Sequence, residues 1–348
     1  MITIDEFPGR VITKDGKDFL YFGGTSYLGL QTDHEFQELF VKNIKKYGTS
    51  YSASRKSNIR ISIFDKAESY LSNTVGSESC ITMSSGYLAG QLVCDYFNNE
   101  DYKLYYAPNT HSALFRGRQE VYQSWQQLET DILNNLGEKQ VLFLDSIDFN
   151  GNNYPDYIPL QKLPLENIIL VIDDSHGIGI TGKNGGGSFS YLQSLKPKEL
   201  LVTCSLGKGF GIQAGAIFGN HQRIENLKDT QFFGGSSPST PAALATLIDA
   251  QSTFSVKRDQ LHRNTALFLK NLANPLFFSA SKGHPTFSFK NEQIAKLLAE
   301  NGILVTNFRY PTEDDDLMSR IVLNSSHQKA DILKLCKTLN TLSIYNIQ

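Results

Sequence analysis

The sequence predicts an α/β protein with a mostly parallel central sheet flanked by helices, together with a smaller α+β domain. Between residues 80 and 220, short apolar runs that end in Gly, Ser or Asp alternate with helical stretches. Strands that are apolar throughout are typical of a parallel sheet covered by helices on both faces. After residue 255 the pattern changes to long helices with short alternating strands. We therefore expect a large domain at 31–254 and a small domain formed by 1–30 and 255–348.

The individual elements follow from the hydrophobic periodicity of the chain. A short strand and a loop are expected at 17–30, and helices at 34–47 and 62–75. The strand-like runs of the large domain are 80–86, 103–108, 140–146, 167–177, 199–209 and 214–220. In the small domain we expect helices at 257–272, 291–301 and 328–342, and strands at 285–289, 303–308 and 319–325. The carboxyl ends of parallel strands meet at one edge of a sheet, so polar residues there are candidates for a binding site.

Composition argues against several classes of function. The 33 basic and 35 acidic residues give a net charge of −2, which predicts neither a nucleic-acid partner nor an anionic membrane. No apolar run approaches the roughly 20 residues of a membrane-spanning helix, and the first residues do not have a signal-peptide pattern. The cysteines lack metal-ligand spacing, so we expect reduced, buried thiols in a cytoplasmic protein; they are Cys80, Cys94, Cys204 and Cys336.

The first candidate motif is Ser84-Ser85-Gly86-Tyr87, which follows a strand-like run and opens a helix. Free backbone N–H groups at the start of a helix bind phosphate, and glycine allows its close approach. Strand–glycine–helix turns are also common without a ligand. On its own, the motif therefore favours a structural turn.

The second motif is Asp173-Asp174-Ser175-His176-Gly177, at the end of the most apolar strand. Two carboxylates and an imidazole in that position are costly to bury unless each has a partner. A metal is one possible partner, but no second group of ligands has suitable spacing, and we expect none. A cationic heterocycle is the other possible partner. Asp173 would then face a protonated ring nitrogen, and His176 would face a polar substituent of the ring.

The third motif is Ser205-Leu206-Gly207-Lys208-Gly209-Phe210-Gly211, after another strand. It is not a nucleotide-binding P-loop, because that motif needs an earlier glycine and a Ser or Thr directly after the lysine. Burial lowers the pKa of a lysine and makes its amine a nucleophile that forms Schiff bases. A surface lysine in a turn explains the segment equally well.

The order of the three motifs resembles the fold-type I pyridoxal phosphate enzymes, and in detail the α-oxoamine synthases. The resemblance runs from Gly9-Arg10 nearly to the end of the chain. Its most specific segments are VIDDSHGIGITGKNGGGSF (171–189), SLGKGFG (205–211) and RIVLNSSH (320–327). Within the family, the pattern is most similar to the branch that makes 8-amino-7-oxononanoate. The resemblance implies a homodimer that condenses an amino acid with an acyl-CoA and releases carbon dioxide.

The resemblance also assigns roles around the cofactor ring. Lys208 would be the Schiff-base lysine, Asp173 the partner of the pyridine nitrogen, and His176 the neighbour of the phenolic oxygen. His111 would stack on the ring, and Arg320 would bind the carboxylate of the amino acid. Lys208 would act as the general base at Cα, and His176 could donate to the developing oxyanion. We therefore expect Lys208, His176 and His111 to be catalytic.

A second group of residues would hold the phosphate of pyridoxal phosphate. The resemblance places Ser236 and Ser237 where a neighbouring subunit reaches this phosphate. The residues expected to contact it from the same chain are Ser85, Gly86, Tyr87 and Ser205.

Several segments depart from the family pattern, among them residues 25–26 and the glycine-poor loop at 48–55. The acidic-and-serine segment that precedes the D-x-x-H strand is replaced by residues 145–151, so the groups that polarise the acyl donor are not assigned. Two alternative functions therefore stay open. One is an aminotransferase or lyase on the same fold, and the other is a non-catalytic, nucleotide-binding α/β protein.

Overall fold

The computed structural model describes residues 3–98, 101–117, 120–149, 153–310 and 312–342. The strands are Val11–Lys14 (β1), Lys17–Phe22 (β2), Ser79–Met83 (β3), Lys103–Tyr106 (β4), Gln140–Asp145 (β5), Ile168–Asp173 (β6), Glu199–Ser205 (β7), Gly215–Gly219 (β8), Thr286–Ser288 (β9), Ile303–Arg309 (β10) and Leu317–Val322 (β11). The helices are His34–Tyr47 (α1), Ile63–Val75 (α2), Gly86–Asn98 (α3), Trp125–Leu133 (α4), Phe189–Ser194 (α5), Leu206–Gly209 (α6), His221–Lys228 (α7), Gln231–Gly235 (α8), Pro241–Asp249 (α9), Gln251–Asn271 (α10), Glu292–Glu300 (α11) and Lys329–Leu342 (α12).

The chain packs into two compact units. One contains Glu38–Asp148 and Asn152–Gln251, and the other contains Met1–Gln37, Phe149–Gly151 and Ser252–Gln348. The domain limits expected from the sequence, at residues 31 and 254, stay a prediction.

The first unit is built on a six-stranded sheet in the order β3-β8-β7-β6-β5-β4. The pairs β4–β5, β5–β6 and β6–β7 are parallel, whereas β8 runs antiparallel to both of its neighbours. The predicted α/β class with a mostly parallel sheet is therefore confirmed. Every residue of β6 is buried, which explains why its sequence is apolar without alternation.

Helix α3 covers the sheet of this unit through an apolar face. Its buried residues Leu92, Val93 and Phe97 lie in one cluster with Phe143 of β5 and Val171 of β6. Burying each such side chain contributes about 1.5–3 kcal/mol, so this cluster holds α3 firmly against the sheet.

The second unit contains a five-stranded sheet in the order β1-β2-β10-β11-β9. Only the β2–β10 pair is parallel. The sequence predicted β2 but not its partner β1. The two strands form a hairpin around Asp15 and Gly16, which both have positive φ angles, 52° and 71°. An Asp-Gly pair between two short strands is the sequence signal for such a hairpin.

All four cysteines are free and buried. No helix in the described part of the chain is both long and apolar enough to cross a bilayer.

Candidate active site

The candidate site lies in the first unit, where three parallel strands end side by side. The register places Asp145 of β5 opposite Asp173 of β6, and Asp173 opposite Thr203 of β7. Lys208 follows β7 on the short helix α6, and His176 follows β6. The two side chains meet, with Lys208 Nζ 2.9 Å from His176 Nε2.

Glycines allow the loop after β6 to approach α6 this closely. A Cβ atom at Gly209 would lie 2.1 Å from the carbonyl oxygen of Ile178, and one at Gly179 would lie 3.0 Å from the backbone of Gly209. The first distance is shorter than any ordinary Cβ contact, and the second is tighter than most of them. Glycine at positions 179 and 209 is therefore needed to bring Lys208 to His176.

Several of the predicted phosphate-binding residues lie on two adjacent turns, which we call the phosphate cradle: the start of α3 and the start of α6. Gly86 begins α3, and a Cβ atom there would lie 2.6 Å from the backbone of Ser205. The hydroxyl of Ser85 accepts a hydrogen bond from the backbone N–H of Leu88, 3.1 Å. Ser205 caps α6 by accepting from the N–H of Gly207, 3.3 Å. Two helix amino ends and two serines therefore face one another, which suits a phosphate group.

Asp173 and His111 contribute the charge and the ring expected beside a cofactor. Asp173 is 9% exposed, and it accepts a hydrogen bond from the N–H of Ser175, 2.8 Å. The pKa of His111 is lowered because burial outweighs the opposing charge of Asp173, and the charge of Lys208 lowers it further. These interactions bring His111, Asp173 and Lys208 into one electrostatic group.

Asp145 is a site residue that the sequence did not assign. One of its carboxylate oxygens accepts a hydrogen bond from the backbone N–H of His111, 3.0 Å. Burial, followed by the negative charge of Asp173, raises the pKa of Asp145 well above its ordinary value. A protonated Asp145 would avoid a second negative charge beside Asp173. Its position at the end of β5, level with Asp173, is the signal that could have identified it.

The second carboxylate of the Asp-Asp pair has a different environment. Asp174 is 1% exposed, and it accepts hydrogen bonds from the hydroxyl of Ser146 and, at 2.9 Å, from the N–H of Ser188. Burial raises its pKa to about 6. Asp174 thus anchors the glycine-rich loop that ends at Ser188.

Three of the residues predicted to bind the phosphate have no side-chain contact with this cradle. Tyr87 is exposed, so only its backbone could serve the role assigned to it. The hydroxyl of Ser236 donates to the carbonyl oxygen of Phe232, 2.6 Å, and Ser237 is exposed. The expected contact of Ser236 and Ser237 with a neighbouring subunit stays a prediction.

Arg320 belongs to the second unit, where it lies on β11. Its guanidinium carbon lies 3.8 Å from the centre of the Phe149 ring. Burial lowers the pKa of Arg320, against a smaller opposing effect of Tyr27. Among the described residues, no group of three or more His, Cys, Asp or Glu side chains could hold a metal.

Comparison with known proteins identifies the family of this fold and site. The aminotransferase class I and II family matches residues 120–339, which is more than half of the chain. The protein therefore belongs to this family.

Two individual relatives of this chain are both named 8-amino-7-oxononanoate synthase. The 8-amino-7-oxononanoate synthase of Pectobacterium atrosepticum is 27% identical, over 95% of this chain and 91% of the relative. That of Aliivibrio fischeri is also 27% identical, over 94% and 90%. The resemblance to α-oxoamine synthases predicted from the sequence is thus confirmed.

Two solved structures share the fold. Sphingomonas wittichii serine palmitoyltransferase superposes with a TM-score of 0.81 at 17% identity, over 99% of this chain and 92% of that one. The Francisella tularensis 8-amino-7-oxononanoate synthase superposes with a TM-score of 0.72 at 22% identity, over 95% and 99%. These likenesses confirm the predicted fold-type I architecture.

Proposed function

We propose that the protein is a pyridoxal phosphate-dependent acyltransferase. It condenses an amino acid with an acyl-CoA thioester, with loss of carbon dioxide, to give an α-aminoketone. The observation that carries this proposal is the contact of Lys208 with His176, at one sheet edge with Asp173. The full-length relatives named 8-amino-7-oxononanoate synthase support the choice of reaction.

The donor set suits pyridoxal phosphate. The backbone N–H groups at the start of α3, together with Ser85 and Ser205, would bind the phosphate. The Lys208 amine would bind the aldehyde carbon, and Asp173 would face the ring nitrogen. When bound, the cofactor accepts electrons from the substrate carbon next to the amine.

The protein's own side chains would carry out the proton transfers of the proposed reaction. Lys208 Nζ, once free, is the base for the substrate Cα proton, and His176 Nε2 is within hydrogen-bond reach of that amine. His176 could also donate to an oxyanion that develops on the acyl carbonyl. His111, whose lowered pKa favours the neutral imidazole, would cover the ring without adding positive charge.

A test of the reaction can separate it from transamination, which other members of the aminotransferase family perform. Purified protein with pyridoxal phosphate is mixed with glycine, L-alanine or L-serine, with and without short, medium and long acyl-CoAs. We expect carbon dioxide and free CoA to appear together, and only when both substrates are present. A 2-oxo acid formed without acyl-CoA would instead identify an aminotransferase. The Lys208→Ala variant is the control and should form neither product.

We also propose a cytoplasmic homodimer. The free, buried cysteines support a reducing compartment. Exposure of Ser237 supports a contact with a second copy of the chain. Light scattering coupled to gel filtration should give twice the 38.9 kDa chain mass, and a mass of one chain would contradict the dimer.

A further inference from the structure

The guanidinium of Arg320 lacks an anionic partner within the second unit. Its side chain is half-buried on β11, opposite Ser288 of β9. Within the described ranges its guanidinium forms no ion pair or hydrogen bond, and its contact is the ring of Phe149. A cation removed from water without a partner is costly, and burial lowers its pKa accordingly. Such a group is suited to bind an anionic ligand.

The contact that orients this guanidinium is the ring of Phe149. The guanidinium carbon stands 3.8 Å from the ring centre, well within the roughly 6 Å at which cation–π attraction operates. A planar guanidinium over a ring keeps its N–H edge available for a carboxylate.

The backbone of Phe149 has an unusual conformation. Its φ angle is +55°, in the left-handed region that bulky residues rarely adopt. Residues held in such conformations are concentrated at functional sites, where the surroundings enforce them. The strained backbone therefore indicates that the position of the Phe149 ring has a functional role.

Buried neighbours hold the Phe149 ring in place. His284 is 1% exposed, and its ring makes an edge contact with Phe149, with centroids 5.7 Å apart. His284 makes a second edge contact with Tyr27, with centroids 5.3 Å apart. The Phe149 ring is thus packed against a buried aromatic side chain.

We propose that Phe149 is a positioning residue for substrate binding, which fixes the Arg320 guanidinium so that it binds the carboxylate of the amino-acid substrate. This inference rests on the proposed function, which supplies that substrate. The effect of Phe149 passes through Arg320, so it should be confined to ligands that carry a carboxylate.

The test compares ligands with and without that group. Glycine, L-alanine and L-serine are titrated against pyridoxal phosphate-loaded protein by the change in visible absorbance. The matched amines methylamine, ethylamine and ethanolamine lack only the carboxylate. Phe149→Leu should weaken binding of the amino acid about tenfold, the effect of losing one partly desolvated cation–π contact. Binding of the matched amine should change less than about twofold.

Three variants control for structural damage. Phe149→Tyr keeps the ring and should restore amino-acid binding. Phe278→Leu removes another half-buried ring of the same unit, which packs on Phe289, and should leave both titrations unchanged. Phe149→Met replaces Phe149→Leu if the latter does not fold, with the same expectation.

The possible outcomes separate the two proposals. Equal amino-acid affinity in wild type and Phe149→Leu overturns the role of Phe149 and leaves the proposed function standing. Equal weakening of amino acid and amine also overturns it, because the damage would then be general. A wild-type protein that responds to none of the three amino acids overturns the proposed function and the inference together.

Discussion

The substitution Gly209→Ala tests how closely α6 must approach the loop after β6. The added Cβ would lie 2.1 Å from the carbonyl oxygen of Ile178, whereas ordinary contacts begin at 3.4 Å. The two segments would therefore have to separate by about 1.3 Å. That shift exceeds what the 2.9 Å contact between Lys208 and His176 can absorb. A displacement of about 1 Å in a catalytic group reduces the rate roughly 100-fold.

The matched control is Gly207→Ala in the same helix. There the new Cβ would meet its nearest neighbours, the oxygens of Ile212 and Ser205, at 3.5 Å, which is ordinary contact. The assay is release of free CoA by cofactor-loaded protein, with the melting temperature as a second measurement. We expect Gly209→Ala to lose about 100-fold in rate and roughly 1–3 kcal/mol in stability, because overpacking strains the loop. Equal activity of the two variants would refute the argument from close approach.

Three other changes have predictable results. Glu68→Ala leaves the buried Arg55 guanidinium without the carboxylate that it contacts at 2.8 Å. Chemical denaturation should therefore show a free energy of unfolding that is lower by about 3–5 kcal/mol. A decrease below about 1 kcal/mol would argue against a buried ion pair. Burial lowers the pKa of His327 to about 4, so unfolding takes up a proton below the ordinary pKa near 6.5. Stability should therefore fall by roughly 3 kcal/mol between pH 6.5 and 4, and His327→Gln should remove most of this slope. Asp173→Asn should keep the bound cofactor but reduce the rate of CoA release roughly 100-fold or more, whereas near-normal turnover would contradict its assigned role.

Local patterns predicted much of the fold and the cofactor site. The apolar runs located all six strands of the large sheet, since strands covered on both faces must be apolar. The segments around Asp173 and Lys208 indicated a site because charged groups at strand ends need partners.

The remaining features depend on contacts between distant parts of the chain. Asp145 joins the site because the strand register sets it beside Asp173, and the register cannot be derived from local periodicity. Phe149 reaches Arg320 through a left-handed backbone conformation that nothing in its local sequence predicts.

The most direct test of the account concerns the covalent attachment of the cofactor. Protein incubated with pyridoxal phosphate is reduced with borohydride, digested and mapped by mass spectrometry. We predict a single phosphopyridoxyl group, on the peptide that contains Lys208, and none in Lys208→Ala. A modification that persists in Lys208→Ala, or that resides on a different lysine, would contradict the account.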